Sequence, residues 1–198
     1  MKRISLLVIV MVLSIGVLPL QARRYSHSYH RPQSVNLKVG LFQPNMNSDL
    51  WDINMENLAL IEQDMQEVYY AVEYELFFTP NLSLSLEAGN YEKEHYSQYK
   101  DYEYSNGDPI YQNLALRITS VEIGMKLYPL SYRYAFNPYV GLGLGIHGWQ
   151  YEQWGDFIDF TDMTVEEGYS DTSAYTLGFN ARAGFLARIW RSYGFSFE

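Results

Sequence analysis

The sequence predicts an all-β fold, an antiparallel up-and-down transmembrane β-barrel. Three observations predict it. Apolar and polar residues alternate one by one over long stretches, short turns alternate with long polar loops, and no segment after the N-terminal region is continuously apolar. Period-two alternation gives a strand one apolar and one polar face. Tight turns at one end and long loops at the other, with an apolar band outside and a polar lumen, are the pattern of a membrane barrel.

At the N-terminus, Lys2 and Arg3 form a charged start, Ile4 to Leu18 an apolar core, and Leu20-Gln21-Ala22 a cleavage site, so residues 1–22 are read as a signal peptide. The apolar run is short for a spanning helix, which needs about 20 residues. Residues 23–33 form a polar, flexible lead-in. Its His27 and His30 sit at i, i+3 with no helix signal and no further ligand nearby, so a solvated tail is expected over a metal site. The remaining length, 34–198, fits one barrel domain. The chain has no cysteine, which excludes a disulfide framework, a cysteine nucleophile and a lipid-anchored cysteine.

The strands follow in order. Strand one runs from Ser34 to Pro44, with Val35, Leu37, Val39 and Leu41 outward and Asn36, Lys38 and Gly40 inward. Loop one, from Asn45 to Glu67, is expected to hold a short helix between Asp49 and Met65, capped by Ser48 or Asp49. Its Trp51, Leu58 and Ile61 suit packing on a rim. Strand two, Val68 to Phe78, points Val68, Tyr70, Val72, Tyr74, Leu76 and Phe78 outward and Glu73 and Glu75 inward. After the turn at Thr79-Pro80-Asn81, strand three (Leu82 to Tyr91) sets Leu82, Leu84, Leu86 and Ala88 against Ser83, Ser85 and Glu87.

Loop two covers Glu92 to Asn113 and is rich in tyrosine, with a turn at Asn106-Gly107-Asp108-Pro109. Strand four (Leu114 to Tyr128) presents Val121, Ile123, Met125 and Leu127 outward and Ser120, Glu122, Gly124 and Lys126 inward. The same parity turns Arg117 outward; a bulge would return it to the lumen. The turn Pro129 to Pro138 leads to strand five (Tyr139 to Gly148), where Val140, Leu142, Leu144 and Ile146 alternate with Gly141, Gly143, Gly145 and His147. That alternation excludes a phosphate-cradling glycine loop, which would stand between a strand and a helix. Loop three, Trp149 to Thr172, carries seven acids: Glu152, Asp156, Asp159, Asp162, Glu166, Glu167 and Asp171. Strand six (Ser173 to Ala187) points Tyr175, Leu177, Phe179, Ala181, Ala183 and Phe185 outward and Asn180 and Arg182 inward. A turn, Arg188 to Tyr193, precedes the start of strand seven at Gly194 to Phe197.

Six strands and the beginning of a seventh do not close a barrel. Single-chain bacterial barrels use even strand numbers from eight upward, and an open edge in lipid leaves backbone groups unsatisfied. Eight strands are therefore expected in the full protein, with about seven present in a chain read as truncated.

The segment from Ser34 to Glu198 resembles the small outer-membrane barrels of Gram-negative bacteria, such as the OmpA membrane domain, OmpX, OmpW and the opacity proteins. The resemblance rests on the strand and loop rhythm, on Tyr139 to Gly145 and on the Gly-Phe-Asn-Ala-Arg-Ala-Gly-Phe run from Gly178 to Phe185. It implies export to the outer membrane, insertion by the barrel-assembly machinery, and contact with lipid and lipopolysaccharide. Such proteins close on a strand ending in an aromatic residue, whereas this chain ends at Glu198.

Function is less legible. The net charge of −9 and the absence of Lys and Arg between Lys38 and Lys93, and between Arg133 and Arg182, argue against nucleic acid. No cofactor motif is present. Related barrels that act on lipid A, phospholipid or peptide bonds need a nucleophile beside a His base. Only His95 and His147 lie within the barrel, and Ser120 and Ser173 are close to neither in sequence, so no catalytic set is assigned. The inward Lys38, Glu73, Glu75, Glu87, Glu122, Lys126 and Arg182 are expected to pair across the interior as a polar plug, because an unpaired buried charge costs several kcal/mol. The inward glycines 40, 89, 124, 141, 143 and 145 suggest the rival, a narrow passive pore for small solutes. Asp156, Asp159 and Asp162 form a weak candidate cation site whose spacing departs from the EF-hand; the bland reading is a solvated acidic surface, open to an extracellular ligand. The expected role is non-enzymatic, structural or surface-interacting, with a lipid-modifying enzyme as a further alternative.

Overall fold

A computed structural model describes residues 33–130, 134–188 and 194–197. The signal peptide and most of the lead-in segment lie outside the described residues, as do the centres of the turns before strands five and seven. The fold is all-β. Seven strands form one antiparallel sheet in sequence order: β1 (Gln33–Phe42), β2 (Glu67–Thr79), β3 (Leu82–Glu103), β4 (Pro109–Leu127), β5 (Phe136–Asp159), β6 (Thr164–Arg188) and the short β7 (Gly194–Phe197). Among the described residues β1 and β7 are the two edges and do not pair with each other, so the sheet is not closed.

The sheet is nevertheless tightly curled. Arg182 on β6 lies 2.5 Å from Glu87 on β3 and 3.6 Å from Glu73 on β2. In a flat sheet β2 and β6 would be four strand spacings apart, roughly 19 Å. The curl gathers charged side chains of β2, β3, β4 and β6 onto one concave side, where Arg182 reaches Glu73, Glu87 and Glu122.

Two expected loops are strands. The Glu92 to Asn113 stretch continues β3 and β4, which pair from Leu82↔Leu127 up to Glu103↔Pro109 around the turn Tyr104 to Asp108. The Trp149 to Thr172 stretch continues β5 and β6, paired without interruption from Phe136↔Ala187 to Asp159↔Thr164 around the turn Phe160 to Met163. Acidic side chains obscured these strands in the sequence. Charge does not prevent a ladder whose outward face is solvated. Gly155 sits within the long β5 at φ +127°, and a Cβ there would collide with the Tyr111 carbonyl, so glycine is required.

Loop one behaves as expected but holds a shorter helix. Helix α1 spans Asp49–Asn57, and a 3-10 turn follows at Glu62–Met65. Asp49 and Asp52 in its first turn suit the helix dipole, and the Asn54 carbonyl accepts from the Leu58 amide where the helix ends. The Ala59 amide donates to the Gln98 carbonyl at 2.8 Å, and Leu58 bridges to Tyr99. These contacts cover the edge that β3 exposes above Tyr91, beyond the end of β2.

The burial pattern divides the sheet at the register row Tyr70, Asn90, Thr119, Gly148, Tyr175. Below it the convex face is apolar. Leu37, Val121, Ile123, Leu142, Leu144, Leu177 and Phe179 are all exposed there, while Glu73, Glu75, Ser83, Ser85, Glu87 and Lys126 are buried on the concave face. Above it the order inverts. The convex face carries Glu92, Glu94, Arg117, Glu152 and Asp171, and the concave face carries a core of Leu58, Leu60, Met65, Tyr91, Tyr99, Ile110, Leu114, Leu116 and Tyr151, with Trp51 of α1 edge-on to Tyr151 at 5.4 Å. Exposed aromatic residues mark both borders of the apolar band: Tyr70 and Tyr175 above, Phe78, Tyr134 and Phe136 below.

Candidate functional site: the interior charge network

The register explains how the concave charges meet. Glu73, Glu87 and Glu122 are direct cross-strand neighbours on β2, β3 and β4, flanked by Asn36 on β1 and by Gly145 and Gly178 on β5 and β6. Like charges directly opposite repel, so this row forms only with cations supplied from elsewhere. Lys38 comes from one row above, and Lys126 and Arg182 from a shared row two steps below.

Glu73 is the hub. It is fully buried, with the Lys126 ammonium at 2.6 Å, the Lys38 ammonium at 3.1 Å and the Asn36 amide donating at 2.9 Å. Glu87 takes Lys38 at 2.7 Å, Arg182 at 2.5 Å and a hydrogen bond from the Tyr69 hydroxyl. Glu122 accepts from the Arg182 guanidinium and from the Asn180 amide. Lys126 also lies over the Tyr139 ring at 4.7 Å. All seven sequence-predicted interior residues face the same space, but Glu75 is held differently. Its oxygens accept from the hydroxyls of Tyr128 (2.6 Å), Ser83 and Ser34 (3.3 Å). Hydroxyl donors solvate a carboxylate without a counter-charge.

Neighbouring side chains fill the space beside most of the inward glycines. A Cβ at Gly89 would meet the Tyr69 ring, at Gly141 the Lys126 stem, at Gly143 the Asn180 amide and at Gly145 the Glu122 stem; at Gly124 it would crowd Ser85. Large neighbours occupy the space that these positions lack. Of the six inward glycines only Gly40, on the edge strand, has nothing within 4 Å. Between the network and the upper apolar core lies a cavity of about 560 Å3, bounded below by Glu87, Glu122 and Arg182 and above by Phe42, Tyr91 and Ile118, and open beside β1.

Ser120 and His147 are cross-strand partners on the wall of this cavity, a proximity hidden in the sequence. Ser120 Oγ is 3.0 Å from the Tyr69 hydroxyl, and His147 Nε2 is 3.9 Å from Glu122. No hydrogen bond joins Ser120 to His147; each is engaged with a different neighbour. Ser173 pairs with Gln150 on the convex face, away from His147. His95 lies 3.8 Å from Asp64 of loop one.

The candidate cation site is not assembled. Among the described residues no group of three or more His, Cys, Asp or Glu side chains could hold a metal ion. Asp156 and Asp159 ride on β5, and Asp162 lies in the turn. The Thr161 amide donates to Asp159 at 2.8 Å, and the Thr164 hydroxyl and amide donate to Asp162, which holds both carboxyls below the usual aspartate range. Arg117 faces outward, as parity indicated, with no bulge. Its guanidinium pairs with Glu92 at 2.7 Å and lies 3.8–3.9 Å from Glu94 and Glu152.

Sequence reasoning missed the upper core. Its signal was a phase flip in β4, where apolar residues occupy odd positions from Val121 to Leu127 but even ones at Ile110, Leu114, Leu116 and Ile118. No family model, curated protein or solved structure matches this chain.

Proposed function

We propose that the chain is the body of an outer-membrane β-barrel of a Gram-negative bacterium, reached by signal-peptide-dependent export, with a plugged interior and a structural or surface-interacting role. The observation that carries this reading is the inversion of polarity along the sheet. A convex face bearing this many exposed large aliphatic and aromatic residues far exceeds the roughly 300–600 Å2 apolar patch of an ordinary soluble protein. A water-soluble barrel would keep one polarity outside along its whole length. An apolar band bordered by aromatic rows, with a water-suited wall above it, fits a lipid layer that ends at the Tyr70–Tyr175 row. Leu82 to Ala88, Val121 to Leu127 and Val140 to Ile146 each cover about 20 Å along the strand, a rise of about 15 Å at the usual barrel tilt, which fills the middle of the ~25 Å height of such bands. In lipid the edges of β1 and β7 need strand partners, so the functional form is closed.

The interior supports a plug over a pore. The charge network crosses the lumen, Tyr128 and Tyr139 pack beneath it with Phe77, and α1 caps the top. Planar-bilayer conductance tests this: the barrel is expected to give no steady conductance steps. Reproducible small-solute currents from the wild-type protein would replace the plugged reading with the passive pore.

A further inference from the structure

The convex wall of β3–β6 above the Tyr70–Tyr175 row is unused by the plug and carries two chemically distinct rows. One register row contains Tyr96, Asn113, Trp154 and Tyr169. Tyr96 and Tyr169 are 58% and 63% exposed, and Tyr96 stacks on Tyr111 with ring centroids 4.6 Å apart and planes 16° apart. The row below contains Glu94, Ala115, Glu152 and Asp171. Arg117 is the basic group beneath it. That guanidinium is already hydrogen-bonded to Glu92 and shared with Glu94 and Glu152. No Lys or Arg occurs between Arg133 and Arg182, so β5 and the upper part of β6 add acids alone. The Tyr169 hydroxyl is held above the usual tyrosine range by desolvation, with Glu152 and Asp171 adding to it and Arg117 opposing.

We propose that this wall docks a basic polypeptide segment, whose lysine and arginine side chains lie across the tyrosine rings and pair with the carboxylates one row below. The inference rests on the membrane reading only for its sidedness, which would leave the wall exposed outside the cell. Charge complementarity selects the partner. Rows on one face repeat about every 6.8 Å along a strand, a step that the aliphatic stem of a lysine spans. A stem laid over Tyr96 or Tyr169 therefore delivers its ammonium to Glu94, or to Glu152 and Asp171. Ring and carboxylate then act on one cation, the ring face through its quadrupole and the acid through charge. Lipopolysaccharide phosphates would be repelled here. A neutral glycan would use the rings and ignore the acids.

The test is binding of fluorescent decalysine to the solubilised protein at about 0.15 M salt, where diffuse surface attraction is screened beyond ~8 Å. Saturable binding is expected. Glu94→Gln/Glu152→Gln/Asp171→Asn and, separately, Tyr96→Ala/Tyr169→Ala should each weaken it tenfold or more. Asp49→Asn/Asp52→Asn/Glu56→Gln on α1 removes the same charge elsewhere and should leave it within twofold. Heat-modifiable gel mobility verifies that each variant is folded. Equal loss in the α1 variant would reduce the effect to net charge and overturn the proposal. Tyrosine variants that bind like wild type would overturn it too. Binding of neutral maltoheptaose that needs the tyrosines and ignores the carboxylates would assign the wall to glycans instead. Binding by solubilised protein but not by intact cells would refute the sidedness while leaving the docking wall in place.

Discussion

Replacing Glu73 by Gln tests the interior network at its most demanding point. Glu73 is fully buried and Lys126 is 2% exposed, with 2.6 Å between their charged atoms. A glutamine at this position keeps the volume but leaves the Lys126 ammonium without a counter-charge in contact. Lys38 and Arg182 are better protected, since each keeps Glu87 at 2.7 and 2.5 Å. The loss is thus that of one buried pair broken on one side, about 3–5 kcal/mol. Removing both partners in Glu73→Gln/Lys126→Met deletes the stranded charge and fills its space with a similar stem, so the double variant should recover to within about 1–2 kcal/mol of wild type. Urea unfolding of protein folded in phospholipid vesicles, followed by tryptophan fluorescence, gives both numbers. A single variant within about 0.5 kcal/mol of wild type, or a double variant no better than the single, would refute the argument that this pair is an uncompensated burial when broken.

Two further outcomes follow from the faces of the sheet. Leu84→Arg, on the convex band, should cost about 2–4 kcal/mol in vesicles if it lies near the midplane, whereas Ser85→Ala on the concave face should cost under about 1.5 kcal/mol; a neutral Leu84→Arg would sink the lipid-facing assignment. Trp51→Ala removes the side chain that seals α1 onto Tyr151, a loss of roughly 3–5 kcal/mol of local packing, and should open loop one to protease while β3–β6 stay intact; a loop as resistant as wild type would mean that other contacts hold the lid.

The sequence by itself determined which residues share a face. Alternation is a local property of an extended chain, so the outward Val68 to Phe78 set, the inward Glu73, Glu75, Glu87 and Lys126, and the outward Arg117 were all legible residue by residue. It also indicated the antiparallel order, because short turns join adjacent strands. Strand length was not legible above the apolar band. There the outward face turns acidic and the inward face turns apolar, and a reading tuned to one phase takes such a stretch for loop. Only the tertiary structure decided register and curl. Register placed three glutamates side by side, and curl brought cations from distant strands to them. It set Ser120 opposite His147 without bonding them. It filled the space beside the glycines with their neighbours' side chains. It also kept Asp156, Asp159 and Asp162 apart, with Asp159 and Asp162 each satisfied by a threonine two residues on. Alternation says which way a side chain points, but its partner depends on register, which strand lengths and turn geometry set together, and on the curl that brings strands distant in sequence face to face.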